Sequence, residues 1–259
     1  MPFELLIDPS TIAILAGVAF LAGFIDAIAG GGGLLTMPAL LTAGVPPHLA
    51  LGTSKLCATF GSATASLTFY RRKLFDPKTW RNGLIATAFG SLFGAIVAHW
   101  LPAEWLNQML PVIVFACGLY LLFSRTPTAP AVTDAPIAQG RQWPQGLTLG
   151  FYDGVAGPGT GAFWTVTTLL LYPLDLLRAS GVARSMNFVS NAVALGVFIV
   201  GGQVAWALGL SMGVALMAGA FLGARTAISG GSKFIRPVFI LVVLALTARL
   251  AWQHWFGQA

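Results

Sequence analysis

Charge is what this sequence has least of. Only 8% of its 259 residues are Asp, Glu, Lys or Arg, whereas soluble domains carry about 25%. So few charges cannot cover a soluble surface of this size. Histidine and cysteine are also scarce, at three and two residues. Cys57 and Cys117 fall in different apolar segments, and neither has a partner at metal-binding spacing, so no metal or cofactor is expected. His48, His99 and His254 lie near segment ends, so no buried imidazole accompanies Ser54, Ser62 or Ser185. A serine hydrolase needs such a base, and enzyme chemistry is not expected. The phosphate-binding pattern G-x-x-x-x-G-K-[ST] does not occur, which argues against an ATPase. Residues 1–10 contain Glu4 and Asp8 but no Lys or Arg, so the basic region that opens a signal peptide is missing.

What is abundant is apolar. Hydrophobic residues make up 56% of the chain. They recur in runs of about 20, the length of a helix crossing a hydrocarbon core. The short alternating segments of a membrane β-barrel are missing. The expected fold is an all-α polytopic membrane protein with the lipid bilayer as its solvent. The net charge of +6 reads as a bias of basic residues toward cytoplasmic loops, not as a nucleic-acid surface.

The chain repeats itself. "GFIDAIAGGGG" at 23–33 is echoed by "GFYDGVAGPGT" at 150–160, "ALGTSK" at 50–55 by "ASGVAR" at 179–184, and "GSLFGA" at 90–95 by "GAFLGA" at 219–224. Order is kept, and the offsets differ by only two residues. Asp26 thus stands opposite Asp153, and Lys55 opposite Arg184. Residues 124–144 are rich in Pro, Ala and Thr and read as a linker. The expected division is a first transmembrane repeat at 1–125, a cytoplasmic linker at 126–144 and a second repeat at 145–259. Each repeat has four segments, about eight in all. A broken one comes first, at 11–45 or 145–173. Fuller ones follow at 48–70, 80–101 and 106–124, then at 178–200, 204–224 and 233–255.

Arg71, Arg72, Lys73, Lys78 and Arg81 crowd one loop, which places it in the cytoplasm. In the second half the basic loop is the later one, with Arg225, Lys233 and Arg236, while "GGQ" at 201–203 carries none. The positive side has moved by one crossing, so the repeats are expected to be inverted, with both termini external. Inversion needs an odd number of crossings per half. "LLTMPALLTAGV" has twelve residues, about 18 Å as a helix and short for a span. Each broken segment is therefore read as a re-entrant helical hairpin with its glycines at the tip. The alternative makes both arms full spans and the repeats parallel, which puts the basic loops on opposite sides.

Non-helical backbone survives at membrane depth only where protein buries it or where it lines a wet cavity. Helix N-termini opened there attract anions, and paired breaks of this kind build substrate sites in many secondary transporters. The candidate substrate-binding residues are Gly30, Gly31, Gly32, Gly33, Gly157, Pro158, Gly159 and Thr160 at the breaks, with Lys55, Arg184, Asn187 and Asn191. Thr53 and Ser54 are further hydroxyl donors. Lys55 and Arg184 lie about 10 Å into their helices by helical rise. They face either a cavity or partner, or snorkel to the nearer surface. Asp26 and Asp153 are read either as proton carriers or as braces, pairing with the cations or accepting N–H bonds at the tips. The glycine pairs Gly90/Gly94 and Gly219/Gly223 read as close helix packing. Such faces also leave a homo-oligomer open.

These paired motifs, "GFIDAIAGGGGLLTMPALL" and "GFYDGVAGPGTGAF" followed by "ALGTSK" and "ARSMNFVSN", resemble the TauE/SafE sulfite-exporter family over about residues 11–250. The resemblance implies a small bacterial inner-membrane transporter of sulfite, sulfonates or related sulfur-containing anions. The expectation is a secondary transporter working by alternating access around the two breaks, the alternative being an anion-selective channel. Where the second half has Pro158 and Thr160, the first has Gly31 and Gly33. A donor side chain is missing from one tip, which implies an asymmetric site.

Overall fold

A computed structural model describes residues 8–106, 108–110, 112 and 137–230. Among them every regular element is an α-helix. The first half contributes α1 (Pro9–Ala29), α2 (Gly33–Thr42), α3 (Pro47–Arg71) and α4 (Arg81–Trp100). The second contributes α5 (Gln139–Val155), α6 (Thr160–Leu171), α7 (Leu176–Val200) and α8 (Trp206–Gly230). The expected segments 106–124 and 233–255, the linker as far as residue 136 and both chain ends lie essentially outside the described residues.

Local chemistry sets these boundaries. Proline opens α1 and α3, where its fixed φ suits a first turn and its missing N–H costs nothing. α4 stops at Trp100, before Leu101–Pro102, because the residue preceding proline avoids the helical region. Asp175 caps α7, its Oδ1 accepting the Arg178 N–H at 2.8 Å. α5 begins earlier than the sequence suggests. Gln139–Pro144, read as the end of the linker, form its first turns. The polarity of "QGRQWP" hides the reason: the buried Gln142 side chain accepts from Gly83 N–H at 2.9 Å and donates to Thr79 O at 3.0 Å. Two polar bonds fasten this turn to the start of α4.

Helices α1, α4, α7 and α8 are long and apolar enough to cross a membrane. Large apolar side chains such as Ile14, Phe93 and Val200 stand exposed on them, the surface expected of a chain solvated by lipid. α2 and α6 are shorter, at 10 and 12 residues, or about 15 and 18 Å.

The later glycine pairs do what the sequence suggests. Gly90 and Gly94 of α4 bring its backbone against Leu147 and Phe151 of α5. Gly219 and Gly223 of α8 do the same against Phe20 and Phe24 of α1. Each seam joins a helix of one half to a helix of the other, and close packing of this kind supplies the attraction that hydrophobicity cannot supply in lipid. α3 and α7 also pack together, joined by a Ser66–Ser185 hydroxyl bond of 2.8 Å. α3 and α7 carry the two buried cations.

Candidate functional site

The site begins where α1 stops. Gly30 has φ +86°, a conformation that costs other L-residues about 1–2 kcal/mol. A Cβ there would also lie 2.3 Å from Ala162 N. After Gly30 the chain turns back across α1, so that Gly32 lies against Ala22 O and Asp26. The Gly32 N–H donates to Asp26 Oδ1 at 3.0 Å. The carboxylate thus sits at the start of α2, where a helix N-terminus favours negative charge.

The second break runs from Ala156 to Gly159, with Gly157 and Gly159 at φ +92° and +79°. Thr160 Oγ1 donates to Gly157 O at 2.6 Å, and the Tyr152 hydroxyl donates to Pro158 O at 2.6 Å. The first break has neither side-chain donor, since Ile25 stands where the second half has Tyr152 and Gly33 where it has Thr160. The two breaks touch: Ala162 N–H donates to Gly30 O at 3.2 Å.

Both deep cations are buried and paired, so neither snorkels. Lys55 Nζ lies 2.7 Å from Asp153 Oδ1 and also donates to the Asp153 carbonyl. Arg184 Nη1 lies 3.7 Å from Asp26 Oδ2 and donates to the Asp26 carbonyl. Its Nη2 donates to Gly161 O at 3.1 Å, and its Nε has no partner among the described residues. Each pair joins a cation from one half of the sequence to a carboxylate from the other. The bracing geometry expected of the carboxylates is present in both its forms, ion pairing and N–H capture.

Between the breaks lies a cavity of about 30 Å³, enough for a water or so. Of the residues expected at the site, Gly30, Gly32, Gly33, Lys55, Gly157, Pro158, Gly159, Thr160, Asn187 and Asn191 line it, as do Asp26 and Asp153. Gly31 and Arg184 are not part of its wall; Arg184 stands behind it, bonded to the backbone of the helices that flank the breaks, at Asp26 O and Gly161 O. Thr53 is directed elsewhere, its Oγ1 accepting from Ala205 N–H at 3.0 Å. Ser54 is on the wall, 3.4 Å from Thr36 Oγ1. Asn191 Nδ2 donates to Asn187 O at 2.7 Å, which keeps the two amides together. Sequence reasoning missed Thr36 and Ser190. The Ser190 hydroxyl donates to Asp153 Oδ2, and its position one turn after Asn187 in "NFVSN" was the available signal.

A family model described as Sulfite exporter TauE/SafE matches residues 15–250. The chain belongs to the TauE/SafE family. It is therefore a multi-pass membrane protein of a transporter family and not an enzyme. Similar proteins include the probable membrane transporter protein YfcA of Escherichia coli K12, 38% identical over 98% of this chain and 97% of that protein. Another is the probable membrane transporter protein ORF9 of Sinorhizobium sp, 40% identical over 92% of each. A third, the probable membrane transporter protein of Haemophilus influenzae, is 39% identical over 95% of this chain and 96% of that protein. No solved structure matches.

Proposed function

We propose that this TauE/SafE protein is a secondary transporter of a small sulfur-containing oxyanion, sulfite or an organosulfonate, in the bacterial inner membrane. The observation that carries this reading is the meeting of two Gly-rich helix breaks at a buried polar cavity with Lys55 in its wall. A buried cation, opened backbone and the amides of Asn187 and Asn191 are the groups an oxyanion needs. The family name points to sulfite, and the relatives' names to membrane transport.

The transport cycle is alternating access between two inverted four-segment repeats, each opening on a re-entrant hairpin. Supporting this, both breaks are followed by short helices, and each ion pair and each glycine seam links one half to the other. Rocking the halves would reshape the cavity that they share. The ends of the helices agree with the charge-based topology. Gly181 lies against Leu74 at the basic end, while His99 Nδ1 meets Gln203 Oε1 at 3.0 Å near the uncharged "GGQ" turn. In this topology the linker is cytoplasmic and both termini are external. The Ala162–Gly30 bond between the breaks and the small cavity favour an occluded site over an open channel.

Uptake of labelled sulfite into proteoliposomes tests the reading. Flux above that of empty liposomes, lost on Lys55→Ala, supports it; no flux of sulfite or of any sulfonate overturns it.

A further inference from the structure

The two carboxylates, Asp153 buried and Asp26 part-buried, answer their cations differently. Asp26 uses its carboxylate on backbone, capturing Gly32 N–H, and its partner Arg184 lies behind the cavity wall, tied to Gly161. That pair fastens break to break. Asp153 instead spends one oxygen on Lys55 and the other on Ser190. Lys55 and Asp153 both face the cavity. Among the described residues Lys55 is the one Lys or Arg in that wall, and its charge is already taken.

An oxyanion at Lys55 would place two negative charges against one cation. Like charges sharing a buried site drive one of them to take a proton. We propose that Asp153 is a tethered stand-in for the substrate, holding Lys55 while the site is empty and taking up one proton when the anion replaces it. The proton comes from the bulk and binds a carboxylate oxygen of Asp153. One negative charge enters with one positive charge, so the net charge of the cavity is unchanged. On release the anion and the proton leave together, and Asp153 returns to Lys55. Transport is then one-to-one anion–proton symport, an inference that rests on the transporter reading above.

The other groups around Asp153 are already engaged. α3 presents Lys55. α7 presents Ser190 and, beyond it, Arg184, already committed to Asp26. α1 presents Asp26 on the same cavity wall, held by Gly32 N–H. α4 and α6 present hydroxyls, Ser91 bonded to Ser190 O and Thr160 bonded to Gly157 O. On α5 itself, Tyr152 is bonded to Pro158 O.

The test uses the full-length protein in proteoliposomes with labelled 2-hydroxyethanesulfonate and a pH dye in the lumen. A sulfonate keeps one charge across the neutral range, so any pH dependence belongs to the protein. Wild-type affinity should rise about tenfold per unit fall in pH, the linkage of one proton, and each anion taken up should bring one proton. D153N should lose the slope and the acidification while still exchanging external for internal sulfonate. A wild-type slope retained in D153N overturns the proposal, and so does wild-type sulfonate uptake that moves no protons. The proton count needs no variant, so it decides even if D153N fails to fold. If the wild type moves neither sulfite nor sulfonate, the transporter reading fails and the proposal with it; proton-free flux removes only the proposal.

Discussion

Lys55 and Asp153 lie 98 residues apart in sequence and 2.7 Å apart in space, from Nζ to Oδ1. The pair is 3% and 2% exposed at its side chains. Removing one member leaves the other buried and unpaired, at a cost of about 3–5 kcal/mol. Lys55→Ala should therefore lower the melting temperature in detergent sharply. Lys55→Ala/Asp153→Ala should recover much of that loss without recovering transport. A double variant no more stable than the single would show that the pair is not the source of the cost.

Arg184 has a different task. Its guanidinium holds the carbonyls of Asp26 and Gly161, one at each break. Bonds to charged groups contribute about 1.5–3 kcal/mol each, and lysine lacks the fork that reaches both. Arg184→Lys should thus reduce folded yield and thermal stability nearly as much as Arg184→Ala. If Arg184→Lys matches the wild type in a detergent melt, the strut assignment is wrong.

The first break admits no side chain at Gly30, where φ is +86° and Ala162 N would lie 2.3 Å from a Cβ. Gly30→Ala should abolish monodisperse protein on size exclusion. Gly17→Ala, within α1 and with nothing within 4 Å of the added atom, should elute as the wild type does. Equal behaviour of the two would refute the close contact between the breaks.

Asp76 offers a local pH test in the basic loop. The Thr79 hydroxyl, then the Thr79 and Lys78 N–H groups, hold its carboxyl below the ordinary carboxylate value. Its contribution is complete above that ordinary value and is lost as pH falls through the depressed one. Because Asp76 is exposed, the effect is confined to the turn. Asp76→Asn should loosen the turn at neutral pH, read as faster tryptic cleavage after Lys78. Unchanged cleavage would show that the turn does not depend on the charge.

The topology is open to labelling in a background without Cys57 and Cys117. Gly202→Cys, in the uncharged turn after α7, should react with an impermeant maleimide from outside the cell. Lys73→Cys should react only after permeabilisation. Labelling of both from one side would overturn the inverted scheme.

Much of the site was legible because the motifs repeat. The echo of "GFIDAIAGGGG" in "GFYDGVAGPGT" singles out Asp26 and Asp153, and "ALGTSK" with "ASGVAR" singles out Lys55 and Arg184. The crossing of the pairs was not legible. Spacing along a chain fixes which residues share a helix face, but not which distant helix that face meets. The same limit hid Ser190, whose value lies in a contact with α5, and left Arg184 on the expected cavity wall when it stands behind it.

The helix boundaries show a related limit. Apolar runs locate α4 and α7 and the starts of α1 and α8 to within two residues, because lipid demands a long apolar surface, but α8 runs six residues past its expected end. α5 starts inside the stretch read as linker, because Gln142 is held by partners on and just before α4 that hydropathy cannot register.

On the transporter reading, a sulfur oxyanion passes through the cavity between the two breaks, bound by Lys55. Sulfite flux into proteoliposomes measures it most directly, comparing the wild type with Lys55→Ala/Asp153→Ala, which removes the cation and its buried partner together. Flux is expected in the wild type and none above empty liposomes in the variant, with both proteins folded. Equal flux in the two would contradict it.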